Sequence, residues 1–226
     1  MTTGISGMRD KDFQKHSHFV AINTTFGTTL AINKDPIAIN DEEAMIVLDN
    51  SASRTVSPTH NIIVVPKQIK MWCTTTAASA TDFGILVKLD NIARWSSGGI
   101  LLTSKQPYID TASGYSARAA VGKAYFGDIT AVAESASVVI TGQDWPHLIT
   151  NGCLDGNSYT WVFEDSPGAA ENTAATLKQY RGSLPIQYIG PGCSMVIHPF
   201  ATAAATTGAK FHVQVEWMEL NQPYTV

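Results

Sequence analysis

A chain of 226 residues, 44% of them apolar, can bury an ordinary core, since size scaling shrinks about 35,000 Å² of unfolded surface to roughly 10,000 Å² on folding. A formal charge of −4 with only 15% charged residues excludes the clustered Lys and Arg that bind nucleic acid by displacing counterions. No run approaches the ~18 apolar residues of a membrane helix, and the N-terminal segment lacks the apolar stretch of a signal peptide. Cys73, Cys153 and Cys193 are odd in number, far apart and free of any C-x-x-C pair, so the expectation is reduced thiols in a cytosol-like compartment. No charged or Pro/Gly-rich run marks a seam, and the chain reads as one domain over 19–226 behind an arm of residues 1–18.

In chain order, the arm is polar, with Arg9-Asp10-Lys11-Asp12 and the pair His16 and His18. Short strands follow at Phe19–Ile22, Thr28–Ile32 and Ala44–Leu48, each bounded by Asn, Asp or Gly. Asn61 to Thr76 is one long strand, kinked or edge-lying at Pro66 because proline cannot donate to a ladder. Phe83, Ile85, Val87 and Leu89 alternate with Gly84, Leu86, Lys88 and Asp90, the two-residue period of a strand. Arg94–Gly99 turns the chain before Ile100–Thr103 resumes it.

Ser116 to Thr130 is rich in alanine, yet Gly122 and Gly127 weaken a helix and Tyr125-Phe126 favours a strand. Ser137–Thr141, Trp145–Ile149 and Tyr159–Phe163 add three more strands. Gly168–Gln179 has too few large apolar residues to dock a helix and reads as a short surface helix or a loop. Near the end, Cys193, Met195 and Ile197 alternate with Ser194, Val196 and His198, and Phe211, Val213, Val215 and Trp217 alternate with more polar neighbours. The small residues of Ala201–Gly208 lie between them, so the chain is expected to close in an antiparallel hairpin. The count of ten to twelve strands without βαβ spacing predicts an all-β protein: an antiparallel β-sandwich of jelly-roll type, with short helical pieces at most.

The residues offer little catalytic chemistry. His16 and His18 lack a third ligand nearby for a metal. Asp155-Gly156-Asn157-Ser158 opens like a calcium loop but lacks its closing glutamate, and reads as a turn. Asn23-Thr24-Thr25 matches a glycosylation acceptor that stays silent without secretion. There is no G-x-S-x-G elbow, and the acid pairs Glu42-Glu43 and Glu164-Asp165 are adjacent in sequence rather than facing each other across a cleft. The expectation is a non-enzyme without cofactor or metal. Trp161 and Trp217 are assigned to the core, while the remaining tryptophans keep a sugar-stacking platform open.

Val65-Pro66-Lys67-Gln68-Ile69, Lys88-Leu89-Asp90-Asn91 running into Arg94-Trp95-Ser96-Ser97-Gly98-Gly99, Ile189 to His198, and Val215-Glu216-Trp217-Met218-Glu219 together resemble head decoration, or cement, proteins of tailed bacteriophages. The likeness covers Asn61 to Leu220 in patches. It implies a sandwich or jelly roll on the outer surface of the capsid, often a homotrimer, that clamps neighbouring major capsid protein subunits after assembly in the host cytoplasm. Under that reading the partner-binding residues are Arg9, Phe13, His16 and His18 of the arm with Arg94 and Trp95 of the turn. No nucleic acid or membrane is among the expected partners. The alternatives are a jelly-roll capsid subunit itself and a carbohydrate-binding, lectin-like module.

Overall fold

The computed structural model describes residues 18–23, 30–31, 40–50, 60–76, 83–106, 119–135, 138–139, 154–164, 169–173, 178–201 and 209–223. These hold β1 His18–Ile22, β2 Leu30–Ala31, β3 Glu43–Asn50, β4 His60–Thr75, β5 Phe83–Asp90, β6 Trp95–Leu101 and β7 Thr103–Lys105. They continue with β8 Gly122–Ala131, β9 Val138–Val139, β10 Ser158–Phe163, β11 Ala169–Thr173, β12 Lys178–Leu184, β13 Ser194–Ala201 and β14 Lys210–Pro223. No helix occurs among the described residues. One sheet runs β11-β12-β10-β4-β14-β1-β7, with β2 also on β14, and the other runs β6-β8-β3-β13-β5-β9. Among the described residues every pairing is antiparallel except β10 with β12. The protein is an all-β sandwich, as its alternation predicts.

The two sheets meet through the apolar phases of their strands. Phe211, Val213, Val215 and Trp217 of β14 face Ile46, Leu48, Met195 and Ile197 from the other sheet, all buried in one cluster. Each such side chain contributes about 1.5–3 kcal/mol by leaving water. Trp161 and Trp217 lie in this core as assigned, and Phe19 of β1 stacks on Trp217 with ring centroids 5.8 Å apart. Glu219 ties the sheets together at one end. Its buried Oε1 accepts from the backbone N–H of Val121 at 2.7 Å and of Gly122 at 2.8 Å, and from Trp217 Nε1 at 3.2 Å.

Several expectations give way. The terminal hairpin is absent: β13 pairs with β3 and β5 in the six-stranded sheet, whereas β14 pairs with β1, β2 and β4 in the other. Alternation marks a strand's core face but not its sheet, and these two strands face each other across the core. Gly168–Gln179 contains β11 and the start of β12, paired from Ala169↔Gly182 to Thr173↔Lys178. Its helix-forming alanines offer no large apolar face with which a helix could dock, and ladder hydrogen bonds with a neighbouring strand prevail. Pro66 does not lie on an edge strand, because β4 runs between β14 and β10. The β10 ladder stops at Gln68 and the next bridge on that side is at Val64, so Pro66 falls where no donor is needed, opposite a register shift at Glu216/Trp217.

The turn expected at Arg94–Gly99 begins earlier. Only residues 91–94 connect, and Trp95–Leu101 is the edge strand β6. Two register shifts against β8 accommodate its glycines, with Gly98 and Gly99 at φ 72° and 61°. A Cβ on Gly98 would lie 2.3 Å from the Asp128 carbonyl oxygen, so no larger residue fits that approach. The strand expected at Trp145–Ile149 lies outside the described residues, as do residues 202–208 of the loop expected before β14.

Candidate partner-binding surface

The short connector between β5 and β6 sets the geometry. These strands are separated by β13, β3 and β8, so residues 91–94 must pass over the intervening strands. Their backbone finds partners on the outer phase of those strands: Ser194 Oγ donates to Ile92 O at 2.7 Å, and Asp49 Oδ1 accepts from Arg94 N at 3.2 Å. Ser194 stands opposite both Asp49 and Asp90 in register, so the three form a polar row beneath the crossing chain. An extended crossover has no ladder of its own, and this row satisfies it.

Arg94 anchors that connector and is 0% exposed. Its guanidinium donates to Asp90 Oδ2 at 2.8 Å, to Val132 O at 2.5 Å and to Asp41 O. Where the sequence reading expected a partner contact, Arg94 is buried as an internal clamp on three acceptors of its own chain. Lys88 of β5 bonds Asp41 and, at 3.0 Å, Glu134. Burial pulls the Lys88 ammonium down, and the two carboxylates outweigh it and raise its pKa.

Trp95 is different. It is 37% exposed and lies flat on Tyr125, with centroids 4.4 Å apart and planes within 9°, while its Nε1 donates to Gly98 O at 3.1 Å. Leu101 is opposite Tyr125 in register and 50% exposed; Val132, whose N–H donates to Arg94 O, is 43% exposed. Trp95, Leu101 and Val132 thus make an apolar ledge along the edge of the six-stranded sheet. The ring that leads it has its only polar atom satisfied and its orientation fixed by stacking.

Arg9, Phe13 and His16 lie outside the described residues. His18 opens β1, with Nε2 3.4 Å from Glu216 Oε2. That contact leads the causes that lower the Glu216 pKa, ahead of the opposing effect of burial. Because Phe19 points into the core, its neighbour His18 belongs to the outer face of the eight-stranded sheet, while Trp95 belongs to the outer face of the other. The structure does not bring His18 and Trp95 together. The outer face that carries His18 also presents Trp72, 40% exposed, between Ser158 and His212 in register.

Asp155–Ser158 is a turn, as read, pinned by Gly156 N–H to Cys73 O and by Cys73 N–H to Asn157 O. Cys73 is a free, buried thiol whose pKa burial pushes up to about 11, which makes it a poor nucleophile. Asn23 is buried, and its side-chain oxygen accepts from Val213 N at 3.0 Å, a position no glycan could share. Among the described residues no three His, Cys, Asp or Glu side chains are grouped to hold a metal ion.

The groups that sequence reasoning missed form the buried layer of Asp49, Lys88, Asp90 and His198. Besides Lys88, two of them are shifted by their surroundings. Burial raises Asp49 to about 6 against the hydrogen bonds from Arg94 and Trp95, and burial lowers His198. No family model, no curated protein and no solved structure matches this chain.

Proposed function

We propose that this chain is a structural, adhesive subunit of a virion: a decoration protein that binds the outer surface of a phage head and holds neighbouring major capsid subunits together, itself as a homotrimer. The observation that carries the reading is the ledge of Trp95, Leu101 and Val132, a preset apolar contact on the edge of a rigid sandwich. Tryptophan held in a fixed rotamer loses little entropy on docking and is the residue type most enriched where binding energy concentrates. The ionisable groups beside the ledge are spent on internal pairs, which suits adhesion better than turnover. The sequence patches that resemble head decoration proteins fall mostly on β4, β5, β13 and β14, so they support the sandwich; Trp95 alone among them lies on the ledge.

The test is occupancy on purified heads. A W95S/L101S protein should melt like the parent and bind heads at least ~30-fold more weakly, the loss expected when a central aromatic anchor worth about 2 kcal/mol is removed. Undiminished occupancy would move the contact elsewhere on the molecule. Absence of the parent chain from purified particles would remove the virion reading itself.

A carbohydrate-binding role is favoured by one separate observation, the exposure of Trp72 on the open face between Ser158 and His212. An indole flanked by hydrogen-bonding groups on a flat sheet is a surface for stacking a sugar ring. Glycan binding by the isolated chain that is lost in W72A, with W95S unaffected, would decide for that role.

A further inference from the structure

The outer face of the six-stranded sheet carries a small second core, including Ala44, Val47, Ile129 and Val196. Val47 and Val196 are wholly buried although they point away from the main core. What lies over them is held by polar contacts. Residues 40–42 are tied to β8 by Ala131 N–H donating to Glu42 O at 2.8 Å, and residues 132–135 are tied to the connector by Val132 N–H donating to Arg94 O at 2.7 Å. Ser135 N–H adds a bond to Asp90 at 3.1 Å. Lys88 and Arg94 reach up from beneath to grip Asp41, Glu134 and Val132 O. Among the described residues the cover includes three short segments bound to the sheet by charges and backbone bonds.

Under it sits His198 of β13, 1% exposed. Its Nδ1 lies 2.5 Å from Glu43 O. A carbonyl only accepts, so Nδ1 carries the proton and Nε2 bears the lone pair. Nε2 is buried and has no hydrogen-bond partner among the described residues. A neutral imidazole tolerates this; an imidazolium does not, because the new N–H would be a buried charged donor without an acceptor. The charged groups that act on it are Lys88 on β5, Asp41 ahead of β3 and Arg94 in the connector; Glu134 after β8 pairs with Lys88, Asp90 pairs with Arg94, and Asp49, with Lys123 and Tyr125 of β8 beside it, stands opposite Ser194, four residues along β13. Of these, Lys88 and Arg94 oppose a positive charge on His198 and Asp41 favours it.

We propose that the cover formed by residues 40–42, 91–94 and 132–135 is an acid-released latch, which opens when His198 takes a proton and its Nε2–H must reach water, uncovering Val47 and Val196. The depressed basicity of His198 fixes the sign. The closed form resists the proton and the open form accepts it, so the latch is shut above the ordinary histidine value near 6.5 and loosens as pH falls below it. Between the open and closed values the opening constant rises up to about tenfold per pH unit. This inference stands independently of the adhesive role.

Native-state hydrogen exchange on the full chain tests it, with rates corrected for intrinsic pH dependence. Between pH 7.5 and 5 the opening constants of the Ala131, Val132 and Arg94 amides should climb by up to about tenfold per unit below 6.5, while those of Val64 and Ile189, bonded to each other in a bridge beside the central strand β4, stay level. The variant H198Q, which keeps a donor for Glu43 O but cannot ionise, should abolish the climb. Opening constants that ignore pH, that rise equally in the cover and at Val64, or that rise unchanged in H198Q overturn the latch. Should H198Q fail to fold, the parent decides: a His198 ring that titrates in step with the cover amides supports the latch, and a ring that titrates near 6.5 under a closed cover overturns it.

Discussion

Single residues in this protein are poised against their own burial, and Asp49 shows it most directly. Its carboxylate accepts from the Arg94 and Trp95 N–H groups yet is desolvated enough to hold a pKa of about 6, well above its ordinary value of 3.8. A raised carboxylate binds its proton more readily in the folded state, so the ionised form costs stability above pH 6 and the cost is relieved as pH falls toward 4. The full span amounts to about 3 kcal/mol at most. Relative to D49N, which cannot titrate, the parent should therefore gain stability as pH drops from 7 to 4. Chemical denaturation of both proteins at each pH measures it, and a constant difference would mean that Asp49 is better solvated than its position shows. Glu219 illustrates the opposite case, a buried carboxylate with three donors on one oxygen. E219A orphans the Val121, Gly122 and Trp217 N–H groups together and should cost about 3 kcal/mol or more. Gly122 cannot compensate by rebuilding the site, since a Cβ there would sit 2.8 Å from Trp217 Nε1. A loss below 1 kcal/mol on denaturation would show that water replaces the carboxylate.

Individual elements are where sequence and structure agree best, and the reason is the two-residue period. Val215 is fully buried and Met218, on the other phase of β14, is half-buried. V215D should unfold the domain or remove most of its stability by placing a charge in the core, whereas M218D should cost about 1 kcal/mol or less. Comparable thermal melts for the two variants would show a covered outer face. The same periodicity makes β1, β3, β5, β10 and β13 legible, and Tyr125-Phe126 tips the alanine-rich stretch to the strand β8. Pairing is not legible, because an amphipathic strand looks alike in either sheet; hence the false hairpin of β13 with β14. The buried polar layer was hidden for a related reason. Lys88, Asp90, Ser194 and His198 occupy what reads as a wet phase, and the crossing of the β5–β6 connector, together with residues 40–42 and 132–135, covers them. A trace was present: Leu86 and Val196 are apolar on that same phase, which an exposed face does not require. Of the exposed apolar residues on that edge, the sequence reading singled out Trp95 but not Leu101 or Val132, since nothing local marks a leucine at an edge as exposed.

At the scale of the molecule, the place of β1 inside the eight-stranded sheet determines which N-terminal truncations the fold survives. β1 pairs with β14 through His18↔Met218 to Ile22↔Gln214 on one side and with β7 through Val20↔Lys105 to Ile22↔Thr103 on the other. It carries Phe19 onto Trp217, and Asn23 at its end bonds the backbone at Phe211 and Val213. Removing residues 1–17 leaves every one of these contacts in place, so the melting temperature should stay within a few degrees of the parent. Removing residues 1–23 strips Phe19 and Ala21 from the core and orphans ladder groups on both β14 and β7. The cost of the buried side chains alone is about 3 kcal/mol, and the exposed central strand would invite pairing with other chains. The longer truncation should therefore melt far lower and aggregate. With the shorter one folded, its occupancy on heads separates two forms of the adhesive role. Weakened binding by the 18–226 chain assigns part of the grip to the segment holding Arg9, Phe13 and His16. Full binding, lost only when W95S/L101S is added, assigns the grip to the ledge on the six-stranded sheet.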